Sequence, residues 1–140
     1  MPPEAGERLT ITIPGRPIAK GRPRMGRNGR VYTPERTSGA EESLQWALRE
    51  ACPVPLEGPL HLEVAFCFKM PKSFPKARRV EVEAGQRPWY TGRPDLDNLL
   101  KLFTDAGNGV LWHDDAQVVW IEATKQYAAE DRTLVIVSGC

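Results

Sequence analysis

One segment of the chain, residues 60–68, constrains the fold more than any other. It reads LHLEVAFCF, and its apolar positions alternate: Leu60, Leu62, Val64, Phe66 and Phe68. A period of two sends alternate side chains to opposite faces of a strand, so the segment predicts a strand with one buried face. The chain also holds 13 prolines and 12 glycines, more than a compact helical bundle carries. An all-helical fold is therefore disfavoured.

The remaining patterns add elements around this strand. They predict strands at 9–13, 117–127 and 133–137 and helices at 37–51 and 95–106. Thr37 or Ser38 is expected to cap the first helix, and Pro53 to end it. Residues 70–94 show no sustained period, which predicts a long connection. The length and the order of elements predict a single α+β domain over residues 1–140, with one mixed, largely antiparallel sheet and helices packed on a face.

The charge distribution is uneven, although the formal net charge is only +1. Residues 14–36 and 69–93 hold fourteen of the nineteen basic residues and three of the eighteen acidic ones, a net charge of +11 against −10 elsewhere. Both segments are predicted as basic loops, and the Asn28-Gly29 pair predicts a tight hairpin in the first. An ordinary surface intersperses both signs, so we expect an anionic polymer as the partner.

Several classes of protein are excluded by what the sequence lacks. No basic stretch followed by an apolar run begins the chain, and no eighteen consecutive residues are apolar, so secretion and membrane spanning are excluded and a cytoplasmic protein is expected. Cys52, Cys67 and Cys140 form no CxxC pair, and the histidines are His61 and His113. No zinc site or disulfide framework is predicted, and Cys52 and Cys67 are interpreted as small core residues.

The densest polar cluster is RPDLDNLLK at 93–101, followed by HDD at 113–115. Asp95 follows a proline at the start of a predicted helix, where a carboxylate can accept from free N–H groups. Asp97 is four residues from Lys101, so the two side chains share one helix face. The ordinary structural interpretation is a helix cap for Asp95 and a surface ion pair for Asp97, the pair contributing about 0.3 to 0.5 kcal/mol.

The functional interpretation of these acids is a site for a hard divalent cation. Mg²⁺ prefers oxygen ligands and takes one or two carboxylates, with phosphate oxygens completing its shell. An EF-hand beginning at Asp95 is excluded, because it would need glycine at Leu100 and glutamate at Ala106. A P-loop, a GxSxG motif and an activated cysteine are absent as well. Carboxylates, a nearby lysine and basic segments together indicate metal-assisted phosphodiester hydrolysis.

Four stretches of the chain resemble the RusA family of Holliday-junction resolvases. They are IPGRPIAKGRPR and GRVYTP near the start, PDLDNLLK, and WHDDAQVV roughly a dozen residues later. The resemblance implies a small α+β endonuclease that is homodimeric and Mg²⁺-dependent and that nicks four-way DNA junctions at paired sites. We expect Mn²⁺ to be able to substitute for Mg²⁺.

The resemblance also implies roles for individual residues. Carried over onto this sequence, the catalytic residues are Asp95, Asp97, Lys101 and Asp115. The three aspartates are the expected metal ligands, with Asp114 as an auxiliary carboxylate. The basic segments provide the expected DNA contacts: Arg16, Lys20, Arg22, Arg24, Arg27, Arg30, Lys72, Lys76 and Arg93.

Two alternative functions stay open on the sequence. A nuclease of other branched or single-stranded DNA fits the same motifs, because a dimer's shape rather than a motif selects a branched substrate. A non-catalytic DNA-binding module would use the acids only to cap a helix and balance the basic loops. Asp97 argues against that module, because a pure binder gains nothing from a carboxylate that faces phosphate.

The aromatic residues carry further expectations. Tyr32, Trp89 and Tyr90 lie in the basic segments and could stack on unpaired bases, although anchoring a loop to the core is an equal interpretation for Trp89. Trp112 and Trp120 lie between apolar neighbours and are predicted to be core residues. For a dimer interface, the strand at 60–68 and the helix at 95–106 are the candidates.

Overall fold

The computed structural model describes residues 8–21, 24–25, 31–32 and 35–140, with side chains for 8–21 and 39–140. Its elements are β1 (Arg8–Pro14), β2 (Arg24–Met25), β3 (Val31–Tyr32), α1 (Glu35–Ala51), β4 (Leu60–Lys69), α2 (Lys76–Glu83), α3 (Leu96–Gly107), a 3₁₀ turn (Asp115–Gln117), β5 (Val118–Ala128) and β6 (Arg132–Gly139). None of the described helices is long and apolar enough to cross a membrane.

Four strands form one mixed sheet in the order β1-β6-β4-β5. β6 is antiparallel to both β1 and β4, whereas β4 and β5 run parallel. The predicted α+β fold, with a mixed and largely antiparallel sheet, is confirmed. Alternate residues of β4 from Leu60 to Phe68 are buried, as their period of two predicts. Because β4 is an inner strand, it has no free edge to offer a partner.

Two helices, α1 and α3, cover one face of this sheet. Leu99, Phe103 and Ala106 recur at helical spacing along α3, and all three are buried. They share one core cluster with Leu48 of α1 and the buried side chains of β4. α3 is thereby held flat against the sheet, which fixes the direction in which its first turn points.

The first helix differs slightly from its predicted bounds, whereas the described part of the predicted hairpin is paired as expected. α1 begins at Glu35, before the predicted caps at 37 and 38, and ends at Ala51, two residues before Pro53. β2 and β3 pair antiparallel, with Arg24 opposite Tyr32, as a basic ribbon requires. The Asn28-Gly29 turn itself lies outside the described residues.

The connection at 70–94 contains a helix, α2, which the sequence pattern did not predict. α2 follows Pro75, whose fixed φ suits a helix start, and only Val82 of its eight residues is buried. Such a short segment with one buried apolar residue shows no periodic pattern. The long connection predicted at 70–94 therefore includes eight helical residues that the sequence pattern did not reveal.

The predicted burial of the cysteine and tryptophan side chains is confirmed in part. Cys52 and Cys67 are buried as predicted, and burial raises the pKa of both thiols. Trp112 is fully buried, and its Nε1 donates to Oδ1 of Asn108 at 3.1 Å. The core prediction was wrong for Trp120, which is 57% exposed. β5 is an edge strand, and Trp120 lies opposite His61 on the face that the helices leave open.

The two ends of the sheet differ in charge. β1 and β4 run in the same direction, because both are antiparallel to β6, and β5 is parallel to β4. Residues 15–21 after β1 and residues 70–94 after β4 therefore leave the sheet at the same end, which we call the basic end. Residues 113–117 lie at the opposite end, directly before β5, and we call them the acidic corner.

Candidate active site

Asp95 and Asp97 lie at the first turn of α3, at the basic end. Asp95 is the N-cap residue, as its position after Pro94 predicts, with φ −68° and ψ 146°. Its side chain accepts no capping hydrogen bond, so both carboxylate oxygens are left unused by the helix. Oδ1 of Asp97 accepts the N–H of Asn98 at 3.0 Å, and both aspartates are exposed.

The turn that leads into Asp95 is anchored by Lys125 of β5, a residue that the sequence analysis missed. Nζ of Lys125 donates to the carbonyl oxygens of Gly92, at 2.7 Å, and Pro94, at 3.0 Å. The hydroxyl of Tyr90 donates to the carbonyl of Arg93 at 2.8 Å. No spacing in the sequence signals Lys125, because its contacts depend on how β5 aligns with the loop after α2.

Lys101 lies one turn after Asp97 on α3 and is exposed. Among the described ion pairs, none joins Lys101 to Asp97. The surface ion pair that the sequence allowed is therefore not formed in this structure. The ammonium stays in solvent on the same helix as the two aspartates.

The first basic segment runs along α3. The N–H of Lys20 donates to the carbonyl of Asn98 at 3.1 Å, and its ammonium pairs with Asp105. The hydrogen bond to Asp105 raises the pKa of Lys20 above its ordinary value. Arg16 is exposed, with its guanidinium 5.0 Å from the centre of the Phe68 ring. The side chains of four predicted DNA-binding residues lie outside the described ones: Arg22, Arg24, Arg27 and Arg30.

The second basic segment divides its cations between structure and solvent. Arg79 donates to the carbonyls of Pro71 and Phe74, at 2.7 and 3.3 Å. The Arg78 guanidinium lies over the Phe74 ring at 5.4 Å. In contrast, the three residues of this segment that were predicted to bind DNA are exposed: Lys72, Lys76 and Arg93.

The acidic corner is held by a side-chain amide. Asp114 caps the 3₁₀ turn by accepting the N–H of Ala116 at 3.0 Å. That hydrogen bond, with a side-chain contact from Asp115, lowers the pKa of Asp114. Nε2 of Gln117 donates to the carbonyls of Leu56 and Gly58, each at 3.0 Å, and fixes the corner to the start of β4. Asp114 and Asp115 are both exposed.

The predicted aspartates are thus grouped in two pairs, one at each end of α3. Within the described residues, no three of these four carboxylates come within 4.8 Å of one another. The donor chemistry nevertheless suits Mg²⁺, which prefers hard carboxylate oxygens and takes one or two of them from a protein. Asp95 keeps both oxygens unused by capping, and Asp97 keeps Oδ2, so this pair fits a divalent cation.

A second group of possible ligands lies on the open face of the sheet. Atoms of His61, Glu63 and Glu122 lie within 4.8 Å of one another, and Nε2 of His61 is 3.0 Å from Oε2 of Glu122. The Trp120 ring stacks on His61 at 3.9 Å. His61 and Glu63 show the period of one strand face, but Glu122 joins them only through the β4 to β5 register, which the sequence does not reveal.

A cavity of about 630 Å³ lies among residues 13–18, α1 and α3. Its walls are mainly apolar and include Leu44, Leu99 and Phe103. None of the predicted catalytic residues lines this cavity. Asp95, Asp97, Lys101 and Asp115 are all exposed instead.

Comparison with known proteins adds a family and two relatives. The sequence matches the family described as endodeoxyribonuclease RusA over residues 14–138. It is 32% identical over 136 residues to the uncharacterized protein YqaN of Bacillus subtilis (strain 168), covering 92% of this chain and 94% of that protein. It is 50% identical over 38 residues to the crossover junction endodeoxyribonuclease rusA of Lactococcus phage r1t, covering 26% of this chain and 29% of that protein.

Proposed function

This chain belongs to the endodeoxyribonuclease RusA family, and on that premise we propose that it resolves four-way DNA junctions by paired nicks in a Mg²⁺-dependent reaction. Membership makes the chain an endodeoxyribonuclease, a hydrolase of phosphodiester bonds. The phage relative is named as a crossover junction endodeoxyribonuclease, which supports the choice of a junction as the substrate. Asp95, Asp97, Lys101 and Asp115 are the residues that we assign to catalysis.

One observation carries this proposal: Asp95 and Asp97 lie at the end of the sheet from which both basic segments leave. The described part of those segments exposes Arg16, Lys72 and Lys76 there. Cations of this kind bind phosphates and hold a nucleic acid in place. Asp95 and Asp97 would then lie next to the phosphate backbone of the bound DNA. Carboxylates repel phosphates, so these two residues would weaken binding if binding were their only role.

Two kinds of group act at the first half of α3 in the proposed reaction: metal-binding carboxylates and one ammonium. Asp95 and Asp97 would hold Mg²⁺ through hard carboxylate oxygens, and the turn that Lys125 anchors would keep Asp95 in place. When bound, Mg²⁺ neutralises phosphate charge and lowers the pKa of a water ligand. The Lys101 ammonium offsets negative charge that develops on the phosphoryl oxygens or on the leaving group.

We also propose that the protein acts as a homodimer. A four-way junction offers two equivalent phosphates, and a two-fold protein can present one site to each of them. Paired nicks follow when both sites act within the lifetime of one complex. Sedimentation at micromolar concentration tests this, since a monomer that still cuts both strands together contradicts it.

A direct experiment tests the function. The protein is incubated with Mg²⁺ and a labelled synthetic four-way junction, beside duplex, flap and fork controls of matched sequence. We expect symmetric nicks in the junction and little cutting of the duplex. Preferential cutting of flaps, forks or single strands would instead indicate a nuclease of other branched DNA, and binding without cutting would indicate a non-catalytic module.

A further inference from the structure

The face of the sheet that α1 and α3 leave open carries polar side chains that the nuclease site does not use. Leu62 and Val64 of β4 belong to the core under the helices, so their neighbours His61 and Glu63 point to the open face. The register with β5 places Glu122 directly opposite Glu63. Atoms of His61, Glu63 and Glu122 lie within 4.8 Å of one another, and we call these three side chains the open-face triad.

The open-face triad is short of positive charge. Glu63 and Glu122 lie opposite each other on adjacent strands, where two carboxylates repel. Glu122 pairs with His61, whereas the half-buried Glu63 has no hydrogen bond or ion pair within the described part of the chain. One imidazole offsets at most one of the two negative charges. A divalent cation would satisfy both carboxylates.

The imidazole of His61 is held in a fixed orientation. The Trp120 ring stacks on it, with centroids 3.9 Å apart and planes 13° from parallel. Its side chain is 15% exposed, and its Nε2 lies 3.0 Å from Oε2 of Glu122. Bonds of about 2.0 to 2.2 Å at a tetrahedral angle set two ligand atoms of Zn²⁺ about 3.3 to 3.6 Å apart. Two donor atoms are therefore already close to the separation that one ion requires.

The donor atoms of the triad select a class of metal ion. Mg²⁺ and Ca²⁺ are hard ions that take oxygen ligands, whereas Cu(I) prefers thiolates and thioethers. Zn²⁺ binds both imidazole nitrogen and carboxylate oxygen, and it often has three protein ligands with water in the fourth position. One imidazole and two carboxylates form such a set. Asp95 and Asp97, in contrast, offer oxygen alone.

We propose that His61, Glu63 and Glu122 bind one Zn²⁺ or a similar divalent transition-metal ion on the open face of the sheet. This ion neutralises the opposed carboxylates and ties the edge strand β5 to the inner strand β4. The site is separate from the Mg²⁺ site proposed above, because α3 lies on the other face of the sheet. It does not depend on the nuclease function.

Titration with Zn²⁺ in excess Mg²⁺, followed by calorimetry, tests the triad. Every chain carries Cys140→Ser, because the exposed Cys140 thiol also binds Zn²⁺. We expect one tightly bound Zn²⁺ per parent chain and an affinity at least about tenfold lower in His61→Phe and in Glu63→Gln. Phenylalanine keeps a ring against Trp120, and glutamine keeps the size of Glu63. A parent without bound Zn²⁺, or an unaltered affinity in either variant, would overturn the proposal.

The matched control for this titration is His113→Gln. Nε2 of His113 lies 2.7 Å from Oε1 of Glu57, so this pair resembles that of His61 with Glu122. No third His, Cys, Asp or Glu of the described residues completes a group with it. We expect His113→Gln to bind Zn²⁺ with the parent's affinity. An affinity lost in His113→Gln and kept in His61→Phe would place the ion at the acidic corner and contradict the proposal.

Quenching of tryptophan fluorescence by Cu²⁺ locates the ion. Cu²⁺ binds nitrogen and oxygen ligands more tightly than Zn²⁺ does, and it quenches a nearby indole. Because Trp120 stacks on His61, we expect a saturable quench that Trp120→Phe removes. Trp46→Phe is the control, since Trp46 is 61% exposed on α1 and Trp120 is 57% exposed. A quench that persists in Trp120→Phe and disappears in Trp46→Phe would contradict the site.

Thermal unfolding distinguishes a metal ligand from a residue that only supports the fold. Without metal, we expect Glu63→Gln to unfold at no lower temperature than the parent, because the variant lacks the repulsion with Glu122. An ion that binds only the folded state raises the unfolding midpoint. Zn²⁺ should therefore raise the midpoint of the parent and leave that of Glu63→Gln nearly unchanged. An equal rise in both proteins would show that Zn²⁺ binds elsewhere and would overturn the proposal.

Discussion

The basic end and the acidic corner of the sheet are fixed by different chemistry. At the basic end, cations hold the backbone: Lys125 binds the carbonyls of Gly92 and Pro94, and Arg79 binds those of Pro71 and Phe74. At the acidic corner, the neutral amide of Gln117 holds the carbonyls of Leu56 and Gly58. At each end of the sheet, some charged side chains hold the fold, whereas others with the same charge face solvent.

This division explains why charge alone does not identify the functional residues. Arg79 and Lys72 belong to the same basic segment, yet Arg79 closes a loop and Lys72 is exposed. Asp114 and Asp115 are neighbours, yet Asp114 caps a turn and Asp115 makes no such cap. Substitutions at the two ends should accordingly separate catalysis, binding and stability.

The largest effect is expected at the carboxylates of the basic end. Asp97→Asn removes a ligand and a negative charge, so we expect Mg²⁺-dependent junction cleavage to be abolished. Loss of one electrostatic group at a reacting centre already costs roughly a hundredfold or more in rate. Junction binding, measured by gel shift in Ca²⁺, is expected to stay intact. Normal nicking by this variant would remove Asp97 from the metal site.

At the acidic corner, the two neighbouring aspartates are expected to behave differently. Asp115→Asn should be inactive, whereas Asp114→Asn should retain more activity, because asparagine also caps a turn. Single-turnover rates of both variants, with thermal melts to check the fold, measure the ranking. The reverse ranking would assign the metal ligand to Asp114.

The next effect concerns the cations that face solvent. If the basic segments engage about six phosphates, affinity for a junction falls roughly a thousandfold between about 50 and 200 mM salt. Lys72→Ala with Lys76→Ala should reduce the salt slope by about two, as should Arg22→Ala with Arg24→Ala. Arg8→Ala with Arg49→Ala is the control, because these exposed residues lie outside both segments. A flat salt dependence of the parent would exclude the basic segments from DNA binding.

Lys101 is expected to have a smaller but still catalytic effect. Its ammonium acts on charge that develops only in the transition state, so Lys101→Ala should bind junctions normally and cut about a hundredfold more slowly. Lys101→Arg should rescue only partly, because a planar guanidinium places its charge differently. Single-turnover rates within about threefold of the parent for Lys101→Ala would show that Lys101 is an ordinary surface residue of α3 without a catalytic role.

The sequence predicted the layers of the fold well, because its patterns are periodic. The alternation along 60–68 and the helical spacing of Leu99 and Phe103 each bury one face, and the structure places both in one core. It missed α2, in which one buried residue, Val82, leaves no period to detect. It misplaced Trp120, because local apolar neighbours do not reveal which strand lies at the edge of a sheet.

The sequence revealed only those residues of the candidate site that lie close together along the chain. Asp95, Asp97 and Lys101 share one helix, so their spacing already placed them on adjacent turns. Lys125 and the group of His61 and Glu122 depend on the register between strands or loops far apart in the chain. Such contacts arise from tertiary packing, and no motif records them.

The smallest effect is expected where packing, and not charge, holds the acidic corner. A Cβ added at Gly107 would lie 2.8 Å from Cζ2 of Trp112, which is fully buried and cannot easily move. Gly107→Ala should therefore lower the free energy of unfolding by about 1 to 3 kcal/mol, measured by urea denaturation. Gly39→Ala is the matched control, because its Cβ meets nothing within 4 Å on α1, and it should stabilise by up to about 1 kcal/mol. The salt slope of DNA binding should not change in either variant, since Gly107 lies at the opposite end of α3 from the basic end. Equal stability of the two variants would show that Trp112 does not fix this corner.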